Sequence, residues 1–188
     1  MIGGTKSINI FIAKIFGFYA FWLLSEFYLS HEFDFYQRVW IYIYHIFLKI
    51  IHTGSVFVLD NIMNLDVVHT YNAVAIVGSY GVIIGNNCVG FGLSYAFAAL
   101  IASYPGPWKL KLAFIPLGIA FIALINIIRI VFLTKTALTA GIFERIENHE
   151  LFNNIIYVII FLLWMVWVRI IERKNKAIKN QDPPAAIG

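Results

Sequence analysis

Cys88 is the only cysteine in the chain, and it stands in Gly85-Asn86-Asn87-Cys88-Val89-Gly90, where a polar segment gives way to an apolar one. A single thiol is most often a small buried hydrophobe. The position argues for more. Asn86 and Asn87 are of the type that caps helices, which places Cys88 in a first helical turn, where free N–H groups and the helix dipole favour a thiolate. Arg129 is the second residue of interest: inside an apolar run a guanidinium either snorkels to the interface or serves a function. Asn126 lies one turn before it on the same helical face, placed to orient it or to pack. His149 is the third, an imidazole in a polar stretch before the last apolar run, where a surface role and proton transfer both fit. Together these residue types support acyl transfer. A thiolate attacks a carbonyl, His149 shuttles the proton, and Arg129 stabilises the developing oxyanion or the thiolate. Backbone N–H groups around Val89 and Gly90 could complete an oxyanion hole, and Gly90, lacking Cβ, allows a peptide to approach closely.

The elements that must position these side chains are membrane elements. Of 188 residues, 61% are hydrophobic, 17% aromatic and only 13% charged, with mean hydropathy +0.80. A soluble domain of this length needs a far more charged surface. The net charge of +4 is not a nucleic-acid footprint, because the basic residues are spread along the chain and are densest near its end, as membrane topology explains. One cysteine excludes an intramolecular disulfide framework. The first apolar run is interrupted by Lys14 and has no small-residue cleavage site, so it is not read as a cleavable signal peptide.

A spanning helix needs roughly 20 mostly apolar residues. The runs that qualify are 8–29, 39–59, 88–104, 112–133 and 151–171, the third ended by Pro105-Gly106-Pro107. Between the second and third, residues 60–87 differ in texture: Asp60 to Asp66 is polar, and two β-branched runs flank Gly78-Ser79. That pattern predicts a small hairpin at the membrane surface. A further crossing there is disfavoured by Gly78, Gly81 and Gly85. The expected fold class is an all-α integral membrane bundle of about five transmembrane helices, with a small extracytoplasmic β-hairpin-like insertion before Cys88. Residues 1–173 form one multi-pass domain, and 174–188 a disordered cytoplasmic tail.

Orientation follows from Lys and Arg in short loops. Arg169, Arg173, Lys174, Lys176 and Lys179 place the C-terminus in the cytoplasm, Lys109 and Lys111 agree, and Arg38 also falls inside. The first helix then needs its N-terminus outside despite Lys6 and Lys14. On this scheme Cys88 opens the third helix at the outer face, Arg129 lies about one turn below the outer end of the fourth, and His149 just precedes the fifth. Three residues remote in sequence share one membrane plane.

In this respect the chain resembles the exosortase/archaeosortase family of membrane cysteine transpeptidases. The resemblance rests on Cys88-Val89-Gly90 after a β-like extracytoplasmic stretch, Asn126-Ile127-Ile128-Arg129 late in the next helix, and His149 before the last. It covers roughly residues 40–171. It implies Cys88 as nucleophile, Arg129 as electrostatic partner and His149 as acid/base; in members whose third residue is arginine, Arg145 would take that place. The family's common Cys-Ser-Gly reads Cys-Val-Gly here, which leaves the nucleophile intact. The implied substrates are exported proteins whose C-terminus carries a short motif, a transmembrane helix and a basic cluster, with a lipid or glycan as possible acceptor. The implied location is the bacterial cytoplasmic membrane, in contact with its lipid, with the site on the extracytoplasmic side. No cofactor, metal or nucleic acid enters this reading.

His45, Lys49 and His52 also share a helical face. Lys is a poor metal ligand, so packing or a substrate groove explains them better than a metal site; a proton- or ion-coupled carrier would need a water-filled path along them. Glu144, Glu147 and Glu150 have the spacing of a solvated face. The alternative to an enzyme is a non-enzymatic membrane subunit of an assembly or transport complex, in which Cys88 is inert.

Overall fold

The computed structural model describes the backbone of residues 5–30, 34–137 and 142–181, and the side chains of residues 8–25, 27, 38–85, 88–137 and 154–177. The apolar runs fold as helices: α1 (Thr5–Ser30), α2 (Asp34–Phe57), α3 (Asn86–Val89), α4 (Phe91–Ser103), α5 (Trp108–Thr136) and α6 (Ile142–Gln181). Four of them, in α1, α2, α5 and α6, are long and apolar enough to cross a membrane. Their outer faces carry large apolar side chains, among them Phe16, Leu117, Leu124 and Phe161, which suits contact with lipid rather than water. Four hydroxyls in the helices are satisfied locally, whereas the buried Ser103 hydroxyl of α4 makes no hydrogen bond among the described residues. Ser25, Ser55, Ser94 and Thr134 each donate to the carbonyl four residues earlier, removing a donor that hydrocarbon could not satisfy.

The third expected span does not form as one helix. α3 is a four-residue turn, Gly90 at φ 69 breaks the chain, and α4 then runs for only 13 residues. At roughly 1.5 Å per residue, α4 covers about 20 Å of a hydrocarbon core about 30 Å thick. α5 begins earlier and ends later than expected, continuing seven residues beyond Arg129. α6 likewise begins before His149 and is helical to Gln181, so residues 174–181 continue a helix rather than starting a disordered tail; 182–188 lie outside the described residues.

The insertion is a three-stranded antiparallel sheet, β1 (Val67–His69), β2 (Ala73–Ile76) and β3 (Val82–Ile83), in the order β1-β2-β3. The expected hairpin is its second half, with Val74 opposite Val82 across the Gly78-Ser79 turn. The added strand, β1, sets His69 opposite Val74. Period-2 alternation shows in β2, whose Val74 and Ile76 point into the core while Ala73 and Ala75 do not. A π-helical turn at Val58–Ile62 ends α2, and β1 doubles back along it. The His69 ring meets His52 at 5.2 Å, and Tyr71 meets His45 at 5.7 Å. The His45–Lys49–His52 face thus supports the sheet in part, with His45 and Lys49 also exposed.

Contacts between helices set the relative directions. Tyr95 donates to the Phe18 carbonyl at 2.8 Å, Phe11 meets Tyr104 at 5.9 Å, and Trp22 packs beside Gly92, so α1 and α4 run antiparallel. The Phe97 ring lies where a Cβ on Gly118 would sit, and Gly90 faces Asn126, which makes α4 and α5 an antiparallel pair. Phe114 meets Trp167 at 5.1 Å with the rings tilted, and Gly106 faces Trp167 and Ile171, so this part of α6 lies beside the start of α5. One end of the bundle therefore collects the start of α1 with Lys14, the turn before Lys109 and Lys111, and the α6 segment with Arg169 and Arg173. This corrects the expected first helix: its N-terminus lies at the basic end. It also corrects Arg38, which stands two residues from Trp40, a ring packed on Trp22 and Phe91 at the opposite end. The stretch from α2 through the sheet to α3 leaves and returns at that same opposite end. Lys111, counted above as a loop cation, is buried in α5 and donates to the Ala102 carbonyl at 2.7 Å, tying α5 to the last turn of α4.

Reporter fusions at the N- and C-termini should thus report the same side of the membrane. Opposite sides would contradict the antiparallel α1–α4 pairing.

Candidate active site

The backbone at Gly90 decides where the candidate residues stand. With φ at 69° it occupies the left-handed region, which glycine enters without a Cβ penalty. The reversal ends α3 and starts α4. The Gly90 carbonyl accepts from both the amide and the hydroxyl of Ser94, each at 2.9 Å. A Cβ on Gly90 would collide with the Asn126 carboxamide. The joint therefore works twice, turning the chain and letting the Cys88 turn press against the middle of α5.

Cys88 is 3% exposed and belongs to the apolar cluster of Leu48, Ile51, Ile84, Val89 and Ile130. Its amide donates to the Gly85 carbonyl at 2.8 Å, and that of Val89 reaches the same oxygen at 3.3 Å. Two expectations change. The helix cap is Gly85, with no side-chain cap bond, so the asparagines do not carry the role given them; the Asn87 side chain lies outside the described residues. The Val89 amide, offered above to an oxyanion hole, is already engaged. A four-residue turn also has little of the dipole that a long helix would direct at the sulfur.

α5 brings the polar partners. Asn126 and Arg129 are both fully buried. Asn126 Nδ2 donates to the Ile122 carbonyl at 3.0 Å, while Oδ1 is buried with no hydrogen-bond donor. Such an acceptor costs on the order of 1–3 kcal/mol when left unmet; the Nδ2 side of the carboxamide is the one nearest Gly90. Arg129 is the second-largest fully buried side chain among the described residues. It is engaged within the protein, and its Nε and Nη1 lie outside any hydrogen bond. A guanidinium remains charged under any ordinary condition. Its complete burial rules out the snorkelling reading and sets a fixed positive charge next to Ile130, a residue of the Cys88 cluster.

The structure thus brings together Cys88, Gly90, Asn126 and the α5 segment holding Arg129. For His149 and Arg145 it gives backbone only: both fall in α6, and their side chains lie outside the described residues. His149 is within the helix rather than before it. Among the described residues no group of three or more His, Cys, Asp or Glu could hold a metal ion. The sequence reasoning missed the aromatic lining of this end. Trp22, Trp40 and Phe47 all meet the Phe91 ring, at 5.9, 5.1 and 5.5 Å. Nothing in the spacing of these rings announces it, because they come from three separate helices. The chain matches no protein-family model, no curated protein and no solved structure.

Replacing Gly90 with Ala should lower stability by roughly 1–3 kcal/mol from backbone strain alone, with the Asn126 collision adding to it. Gly85→Ala, where a Cβ meets nothing within 4 Å, should be close to neutral. Thermal unfolding in detergent compares the two; equal midpoints would remove the joint from its structural role.

Proposed function

We propose that the protein is a membrane-embedded cysteine peptidase or transpeptidase of the exosortase/archaeosortase kind. It acts at the extracytoplasmic face of a bacterial cytoplasmic membrane on exported proteins ending in a motif, a transmembrane helix and a basic cluster. The observation that carries this reading is the left-handed Gly90 joint, which seats the only cysteine against the α5 face bearing Asn126 and Arg129. The basic end of the bundle would then be cytoplasmic, and the site end external.

The reaction follows from the residue types. The Cys88 thiolate attacks the scissile carbonyl carbon, forming a C–S bond and placing negative charge on the carbonyl oxygen. Arg129, held in a water-poor interior, stabilises that charge without reorganising. The C–N bond breaks, the leaving amine takes a proton from protonated His149 (or, where Arg145 stands in its place, from water), and a thioester remains. Water, or a nucleophile on a lipid or glycan acceptor, then gives its proton to neutral His149 as it attacks the thioester, the C–S bond breaks, and the thiolate and the protonated imidazole are restored. Asn126 is placed to orient the peptide or the guanidinium.

A second reading draws on the burial of Cys88 among Ile51, Val89 and Ile130. A thiol so enclosed is what a non-enzymatic membrane subunit would carry.

Cys88→Ala should give an expressed, folded protein that no longer processes a substrate with the tripartite C-terminus; unchanged processing would end the enzyme proposal. Membrane-impermeant thiol reagents added from outside provide a further contrast. Labelling of Cys88 that Arg129→Leu weakens favours the peptidase, and a thiol inert in both forms favours the subunit.

A further inference from the structure

A cavity of about 320 Å³ lies at the basic end of the bundle, far from Cys88. Three elements wall it: α1 through Ile8 and Phe11, the turn after α4 through Tyr104, and α6 through Trp164, Val168 and Glu172. The last three follow at four-residue spacing and so share one face of α6. Ile160, one turn earlier, lines a separate cavity with Ile15 and Leu100, so this face runs from the middle of the bundle to the basic end. The cavity therefore changes character with depth. Its inner part is aromatic, where Tyr104 meets Phe11 at 5.9 Å and Trp164 at 6.3 Å, both edge to face. Its outer rim carries Glu172, the one charged side chain among the residues that line it.

These features select a ligand. Aromatic rings beside a carboxylate attract a cation, through the ring quadrupole and through ion pairing. The Trp164 indole N–H, which can only donate, is buried with no hydrogen bond among the described residues and calls for an acceptor oxygen. One molecule has to bring an ammonium to the rim and an oxygen beneath it. The surroundings narrow the choice further. Lys14, Lys109, Arg169 and Arg173 gather at this end, so a purely cationic ligand is repelled, whereas a phosphate beside the ammonium is attracted. We propose that the cavity binds a phospholipid with a primary ammonium head group, of the phosphatidylethanolamine type. Its ammonium sits between the Tyr104 ring and the Glu172 carboxylate, its phosphate faces the basic side chains, and an ester oxygen accepts from the Trp164 indole. The acyl chains follow the outer flanks of α1 and α6, where Ile12 and Phe161 are exposed. The lipid thereby fastens α1, whose span is the least buried of the four, to the rest of the bundle. This inference uses the membrane placement of the helices and none of the chemistry at Cys88.

The full chain, purified in detergent and stripped of lipid, provides the test. Native mass spectrometry reads the binding of phosphatidylethanolamine and of phosphatidylglycerol, an anionic lipid with the same ester groups and no amine. The wild type should bind phosphatidylethanolamine about tenfold more tightly. Glu172→Gln, at an exposed position, should bring the two lipids to parity by weakening the first alone. Trp164→Phe should weaken both by a similar factor and keep their ratio, since both carry the ester oxygen. Phosphatidylethanolamine should also raise the thermal midpoint of the wild type more than that of Glu172→Gln. Equal or tighter binding of phosphatidylglycerol by the wild type overturns the inference, as does a ratio that Glu172→Gln leaves unmoved. Displacement of the lipid by an equal concentration of soluble phosphoethanolamine would assign the cavity to a ligand from water, and a lipid-free dimer would assign it to a second copy; either result rejects the lipid. The wild-type preference remains a test even where a variant does not fold.

Discussion

The arrangement depends on one backbone reversal pressed against one buried amide. Gly90 in the left-handed region converts what would be a continuous helix into a short turn followed by α4, and it does so where Asn126 leaves no room for a Cβ. Any other residue would incur both the strain of the conformation and the collision. Because α4 and α5 are tied again lower down, by Phe97 against Gly118 and by Lys111 on the Ala102 carbonyl, the joint cannot drift. The register of the α4–α5 pair and the position of the thiol are the same fact.

Two apolar clusters divide the molecule along its length. At the basic end, Phe97, Ile101, Tyr104, Ile122, Trp167 and Ile171 lock α4, α5 and α6 together. At the other end, α2, the sheet, α3 and α5 share the cluster around Cys88. The first is built wholly of membrane helices. The second includes strand residues, and a sheet with two edges cannot face hydrocarbon with its hydrogen bonds unmet. The sheet is therefore suited to the outer part of the bundle, where it shields the thiol and meets water at its edges.

Composition and apolar run length made the helical membrane class legible, and the Gly78-Ser79 turn between β-branched runs made the second hairpin legible. Asn126, four positions before Ile130 on a continuous helix, stands against the Gly90 joint, near the depth that counting residues along the helices gave. What spacing could not convey was direction. Counting five equal crossings put the N-terminus of α1 opposite the basic loops, whereas Tyr95 on the Phe18 carbonyl puts it beside them. Gly90 was illegible for another reason: a glycine flanked by apolar residues looks like an ordinary helical position, and nothing local announces its positive φ or its closeness to Asn126, 36 residues away. Lys111 misled for a related reason, since a loop cation and a cation capping a neighbouring helix have the same sequence signature.

The corrected directions bear on how the thiol meets a peptide. The chain from α2 to α3 starts and finishes near the end holding Trp22, Trp40 and Phe91, whose rings pack together. Phe47 adds its ring to the same group on Phe91. Apolar and aromatic side chains thus surround the polar groups of the joint. The buried Asn126 Oδ1 is the one acceptor at that point known to lack a donor. A neutral donor would satisfy it without adding charge beside the buried guanidinium one turn along α5.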